Sequence, residues 1–170
     1  IENKDNGIYI TWGQVSTATS YDVYRKTGDG AFAPIGTSNT ASYTDTTAVS
    51  GTAYTYTVVA KNTTGCSAYD TAGKTIKRLN TPVNIVSRTN ASGIYVTWNA
   101  VSGTDSYTIF RNGTEIGTSN TTRFEDKSAA QNTEFKYTIR ANSGSYYSAI
   151  NPTGAQGMNF GTVSLLKYTA

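Results

Sequence analysis

The chain is written twice, and that repeat constrains its fold more than any other feature. Gly7-Ile8-Tyr9-Ile10-Thr11-Trp12 returns as Gly93-Ile94-Tyr95-Val96-Thr97-Trp98, an offset of 86. Ser20-Tyr21-Asp22-Val23-Tyr24-Arg25 returns at the same offset as Ser106-Tyr107-Thr108-Ile109-Phe110-Arg111. From Gly36-Thr37-Ser38-Asn39-Thr40 to Gly117-Thr118-Ser119-Asn120-Thr121 the offset is 81. It holds through Tyr54-x-Tyr56-x-Val58-x-Ala60 and Phe135-x-Tyr137-x-Ile139-x-Ala141. The length change falls between Arg25 and Gly36, where the first copy carries Lys26-Thr27-Gly28-Asp29-Gly30. Such a change costs little in a surface hairpin loop. The repeat therefore predicts two homologous domains, residues 1–79 and 80–160, joined near Arg78-Leu79-Asn80-Thr81-Pro82. Residues 161–170 are left as an extra strand or the opening of a further repeat. Ile1 aligns with Ser87, so the first copy lacks a counterpart of Pro82-Val83-Asn84-Ile85 and its first strand is expected to be missing or short.

Within each copy the apolar residues alternate with period two, the spacing of a strand with one buried face. Ile8, Ile10 and Trp12 share one face and Tyr9 and Thr11 the other. Tyr21 and Val23 form the inward pair of the next strand, Phe32 and Ile35 lie in a short strand, and Tyr43 ends another. Tyr54, Tyr56, Val58 and Ala60 line the inner face of the longest. The 13 tyrosines and the many Thr, Val, Gly and Asn residues suit pleated surfaces and turns. No segment keeps helical spacing over three turns. A single sheet would leave an apolar face wet, and two stacked sheets bury both. The expected fold is all-β, two tandem sandwiches with turns at the spacing such domains show.

Several functions are argued against by inventory. The net charge is +3 and the basic residues are scattered, whereas nucleic-acid binding needs a basic stripe to release counterions. No apolar run is long enough for a membrane helix. With no histidine and a lone Cys66, neither an internal disulfide nor a structural metal site is expected, and no cofactor is implied. The 11 carboxylates are dispersed, so no pair can be proposed across a cleft, and each, Asp45 and Asp126 included, reads as a solvated charge or a turn cap. The expectation is that the chain is not an enzyme.

The same segments resemble the fibronectin type III family. A Trp ends the second strand (Trp12, Trp98), a Tyr opens the third (Tyr21, Tyr107), and Gly51-Thr52-Ala53-Tyr54-x-Tyr56-x-Val58-x-Ala60 is similar to the family's Gly-Thr-x-Tyr-x-Val-x-Val-x-Ala segment. The resemblance implies seven-stranded immunoglobulin-like sandwiches in which the Tyr54 hydroxyl closes a corner on the backbone. Phe135 lacks that hydroxyl, so the second corner is expected to be weaker by about 1 kcal/mol or to be closed differently. Tyr24-Arg25-Lys26-Thr27-Gly28, Tyr43-Thr44-Asp45-Thr46-Thr47 and Ala72-Gly73-Lys74-Thr75-Ile76-Lys77 are similar to repeats in secreted and surface multi-domain proteins of Gram-positive bacteria. What this implies is an extracellular spacer or accessory module whose partners are neighbouring domains. The alternatives are a carbohydrate- or cell-wall-binding module, with polysaccharide or another surface protein as partner, and a segment of a phage virion.

Trp12, Trp98 and the paired tyrosines fall in phase with buried residues and are expected in the core. Tyr146 and Tyr147 follow Asn142-Ser143-Gly144-Ser145 in what reads as a loop, and are the candidate contact for a sugar ring or a partner. Cys66 is expected to be a partly buried loop residue. Pro152 is expected in the last strand, at an edge where a lost donor is tolerated.

Overall fold

The computed structural model describes residues 1–161. Its regular elements are all strands. In the first copy they are β1 (Glu2–Lys4), β2 (Gly7–Thr11), β3 (Ser20–Lys26), β4 (Ala33–Ser38), β5 (Ser42–Asp45), β6 (Ala53–Asn62), β7 (Gly65–Cys66) and β8 (Lys74–Lys77). In the second they are β9 (Val86–Asn90), β10 (Gly93–Thr97), β11 (Ser106–Arg111), β12 (Thr114–Ser119), β13 (Arg123–Asp126), β14 (Glu134–Ser143), β15 (Tyr146–Tyr147) and β16 (Ala155–Met158).

Each copy pairs its strands in the same way. One sheet runs β1-β2-β5 and the other β4-β3-β6, with β7 and β8 both on the far side of β6. The second copy repeats this as β9-β10-β13 and β12-β11-β14, with β15 and β16 on β14. In each copy the last strand is broken by a loop. Counted as one, it makes each sandwich seven-stranded, and the ladders between these strands are antiparallel. The repeat reaches fine detail, because the β3–β4 register shifts between Val23 and Tyr24 and the β11–β12 register between Ile109 and Phe110. Pro34 lies in edge strand β4, opposite Tyr24 beside the register shift, the kind of place where a strand tolerates a missing N–H.

Two compact units result. One is Ile1–Thr81 together with Val101–Asp105 and Ala141–Ala149, and the other, among the described residues, is Pro82–Ala100, Ser106–Arg140 and residues 150–161. The first is built on Ile8, Ile10, Val23, Tyr54, Tyr56 and Ile76. In the second Ile94, Val96, Trp98, Tyr107, Ile109, Tyr137 and Ile139 are buried. Burying each such side chain is worth roughly 1.5–3 kcal/mol, which is what offsets the ordering of so many short strands. Gly7 and Gly93 open β2 and β10 where a Cβ would run into the backbone carbonyls of Asp45 and Asp126. Glycine at these two places lets the strands pair closely at their first residue.

Some expectations need correction. Phe32 precedes β4 rather than lying in it, and Tyr43 sits inside β5 rather than at its end. Along β6 the burial does not simply alternate: Val59, expected outward, is buried, and Val58 is half-buried. On that outer face Val59 and Tyr69 line one cleft. In β14 the alternation of Tyr137, Ile139 and Ala141 is clean. Trp98 is a core residue, whereas Trp12 is half-buried and packs at the margin of its core. Pro152 lies in a bend before β16, outside any ladder. Residues 162–170, expected as an extra strand or a further repeat, lie outside the described residues.

Candidate functional site

Tyr146 and Tyr147 are not on a loop. They form β15, paired with Asn142 and Ser143 across a tight turn in which Gly144 takes φ 54°. Because successive strand residues point to opposite faces, the two rings cannot make one flat platform. Tyr146 is half-buried and packs against the core of the first unit. Tyr147 is 58% exposed, with its carbonyl accepting from Asn3 Nδ2 at 3.0 Å. Of the pair, Tyr147 presents its ring to solvent.

A second aromatic group was not anticipated from the sequence. On the outer face of β3 and β6, Tyr69 lies 5.7 Å from Tyr24 and 5.5 Å from Phe32, the latter edge-on at 64°. Lys26 Nζ sits 5.0 Å above the Phe32 ring, within cation–π range. Tyr24 and Tyr69 line an open cleft of about 460 Å³ together with Val59 and Cys66. Cys66 is exposed, not partly buried, because two-residue strand β7 turns its side chain outward. Position 69 falls in the loop that breaks the last strand, so no period marks it. Its counterpart in the second copy is Ile150, which is not aromatic and is 40% exposed.

Asp45 and Asp126 cap the turns that follow them, one of the two roles expected of the carboxylates, and they do more than that. Asp45 and Asp126 are 1% and 3% exposed, not solvated. Asp45 Oδ2 accepts from the Tyr56 hydroxyl at 2.7 Å and from Arg25 Nη1 at 2.6 Å, while Oδ1 accepts from Thr47 N and Oγ1. Asp126 repeats the set with Tyr137, Arg111 and Ser128. Burial alone would push the Asp45 carboxyl up, but the bonds from Tyr56, Thr47 and Arg25 outweigh it and hold it below its ordinary value. Asp126 is held low in the same way by Ser128, Tyr137 and Arg111 against its burial. Burial, reinforced by the bond to the carboxylate, pushes the Tyr56 and Tyr137 phenols up. These groups are saturated by one another and tie the two sheets together. Arg25 also stacks on the Tyr54 ring at 4.5 Å, and Arg111 on Phe135 at 4.8 Å.

The tyrosine corner is present in the first copy: the Tyr54 hydroxyl accepts from Val49 N at 3.1 Å. The second copy closes the same loop from the other side. Asn159 Nδ2 donates to Ala129 O at 2.7 Å, while the backbone bond from Asn132 N to Asn159 O at 2.8 Å is shared with the first copy, where Gly51 N donates to Arg78 O. Arg78, at the position equivalent to Asn159, instead donates to Lys4 O, Asp5 O and Gly7 O and clamps the β1–β2 turn. Among the described residues no three His, Cys, Asp or Glu side chains gather in a way that would hold a metal ion.

No family model matches the chain. Exoglucanase B of Cellulomonas fimi is 31% identical over 138 residues, covering 72% of this chain and 12% of that enzyme. A poly(3-hydroxybutyrate) depolymerase of Ralstonia pickettii is 28% identical over 79 residues, covering 46% of this chain and 14% of that enzyme. The chain thus spans a small part of the length of either relative. Among solved structures, a two-domain fibronectin type III segment of chicken tenascin is 18% identical, covering 92% of this chain and 93% of that one, with a TM-score of 0.45. The FN1–FN3 domains of chicken CNTN1 are 16% identical, covering 93% of this chain and 64% of that one, with a TM-score of 0.42. The doubled sequence, the strand order common to both copies and the corner at Tyr54 give this chain the fold of two tandem immunoglobulin-like β-sandwiches of the fibronectin type III kind.

Proposed function

We propose that this tandem is a non-catalytic, extracellular spacer and accessory module of a larger bacterial secreted or surface protein. Its work is mechanical: each sandwich is a rigid segment that sets the reach of the domains on either side. The observation that carries this reading is the match to bacterial polymer-degrading enzymes over only 12% and 14% of their lengths, the proportion expected of an accessory part. The chemistry of the chain supports it, since its two most buried carboxylates are consumed in structural networks and no histidine is available as a base near neutral pH.

A second reading is a glycan-contacting module, favoured by the exposed ring of Tyr147 beside Tyr146. Retention of the purified chain on insoluble cellulose, xylan, starch and peptidoglycan separates the two, with a Tyr146→Ala/Tyr147→Ala variant alongside. The spacer reading expects both proteins in the unbound fraction on every polymer. Retention of the parent on one polymer, lost in the variant, would replace the spacer by a glycan-binding module.

A further inference from the structure

The two copies treat the outer face of their longest strand differently. In the first, Val59 is 6% exposed and lines the open cleft of about 460 Å³ with Tyr24, Tyr69, Cys66, Ser67 and Thr71. By the repeat offsets, the second copy has Phe110 for Tyr24, Arg140 for Val59 and Ile150 for Tyr69. There the Arg140 guanidinium lies 5.5 Å from the centre of the Phe110 ring. The second copy thus sets a charge over its ring where the first has Val59 and a cleft. The first cleft is ordered in advance. Tyr69 is fixed by two rings, tilted 35° to Tyr24 and 64° to Phe32. Its loop is tied at both ends. Ser67 N donates to Ala60 O at 2.9 Å, Ala60 N to Ser67 Oγ at 3.0 Å, and Ala72 N to Asp70 Oδ1 at 2.9 Å. A ring already in place loses little further freedom on binding. The lining carries aromatic faces, apolar carbons and hydroxyls, and no charged side chain. Asp22, on the same face of β3 as Tyr24, is taken up by Lys61 Nζ at 2.9 Å, and Lys26 already sets a positive charge over Phe32. A cation would lose its water here without gaining a counter-charge, and an anion would meet the negative faces of the rings. A purely apolar occupant would leave the Ser67 and Thr71 hydroxyls beside it unpartnered.

We propose that this cleft is a binding site for one pyranose ring of a neutral glycan. The C–H face of the sugar lies on the Tyr69 ring, and its hydroxyls exchange bonds with those of Ser67, Thr71 and the tyrosines. Ser67 Oγ accepts from Ala60 N and keeps its own proton to donate. The site is separate from Tyr147 and does not rest on the glycan-contacting reading given for that residue. A single ring in an open cleft binds in the millimolar range, about 1–10 mM, too weakly to hold the chain on a polymer. It is therefore compatible with a spacer.

The test is an NMR titration of the whole chain with cellobiose, xylobiose, maltose and N,N′-diacetylchitobiose, following the backbone amides. The proposal expects at least one of these sugars to shift Cys66, Ala68 and Tyr69 saturably below about 50 mM, with Tyr147 unmoved. Tyr69→Ala should weaken that response at least about tenfold. Val59→Arg, which gives the first copy the residue of the second, should abolish it, while Tyr147→Ala leaves it unchanged. Either cleft variant decides if the other fails to fold. Methylguanidinium is the charged probe and should shift the same amides less at equal concentration. No saturable shift with any of the four sugars would overturn the proposal, as would a response that survives Tyr69→Ala or Val59→Arg in a folded variant. Shifts confined to Tyr147 would also overturn it and would favour the other glycan reading. A stronger response to methylguanidinium would make the cleft a cation site instead.

Discussion

Tyr56 donates its hydroxyl to Asp45 Oδ2 at 2.7 Å, and Tyr137 makes the same bond to Asp126 at the same length. Tyr56 lies in β6 and Asp45 closes β5, so the bond crosses from one sheet of the sandwich to the other. Arg25 and Arg111 complete each pair from β3 and β11. A buried carboxylate is costly unless every lone pair finds a donor, and here each does.

Removing one donor should therefore cost more than an ordinary hydrogen bond. Tyr56→Phe is expected to destabilise the first domain by about 1.5–3 kcal/mol, and Tyr137→Phe the second by a similar amount, because the carboxylate left behind stays buried. Urea denaturation followed by tryptophan fluorescence measures both. A loss under about 0.5 kcal/mol would mean that water replaces the phenol.

The same carboxylates set an acid limit. Asp45 and Asp126 have folded pKa values below their unfolded ones. Their contribution is thus fully present above the unfolded value of about 3.9 and is lost as the pH falls through the folded value. Thermal midpoints are expected to hold through neutral and mildly acid pH and to fall below about pH 4. In an Asp45→Asn/Asp126→Asn variant the midpoint should be lower at pH 7 and depend less on pH in that window. An acid limb as steep in the variant as in the parent would assign the effect to other groups.

The corner of the second domain is not simply missing a bond. Since Asn159 Nδ2 holds Ala129 O, Asn159→Ala should destabilise that domain by about 1–2 kcal/mol, comparable to Tyr54→Phe in the first. Phe135→Tyr should then add well under 1 kcal/mol, since the loop is already closed. Unfolding of the three variants by urea checks the set. A large gain from Phe135→Tyr would show that the Asn159 bond is a poor substitute.

Much of this protein was legible before any coordinate. The 86 and 81 offsets named two copies, and period-two alternation named their strands, because a half-buried strand imposes that period on its own sequence. The buried places of Ile8, Ile10, Tyr21, Tyr54 and Tyr137 follow from local phase alone. The Asp45 and Asp126 networks left a trace as well. An Asp followed two residues later by Thr47 or Ser128 recurs at the 81 offset, and the Arg25 and Arg111 partners recur at 86. Neither recurrence says that the groups meet, because partners 11 and 20 residues away in the chain are brought together only when one sheet closes over the other.

The candidate site shows the same division. The sequence placed Tyr146 and Tyr147 side by side, and only the hairpin of β14 and β15 sent their rings to opposite faces. Tyr69 and Asn159 carried no periodic signal, since one sits in the loop that breaks the last strand and the other just beyond the last strand. What the sequence by itself determined is the set of strands, their inward faces and their doubling, all written into neighbouring residues. The tertiary structure alone decided which polar groups saturate one another, which tyrosine reaches solvent and which tryptophan is left half-covered. Those outcomes depend on contacts between segments far apart in the chain, and no local period encodes them.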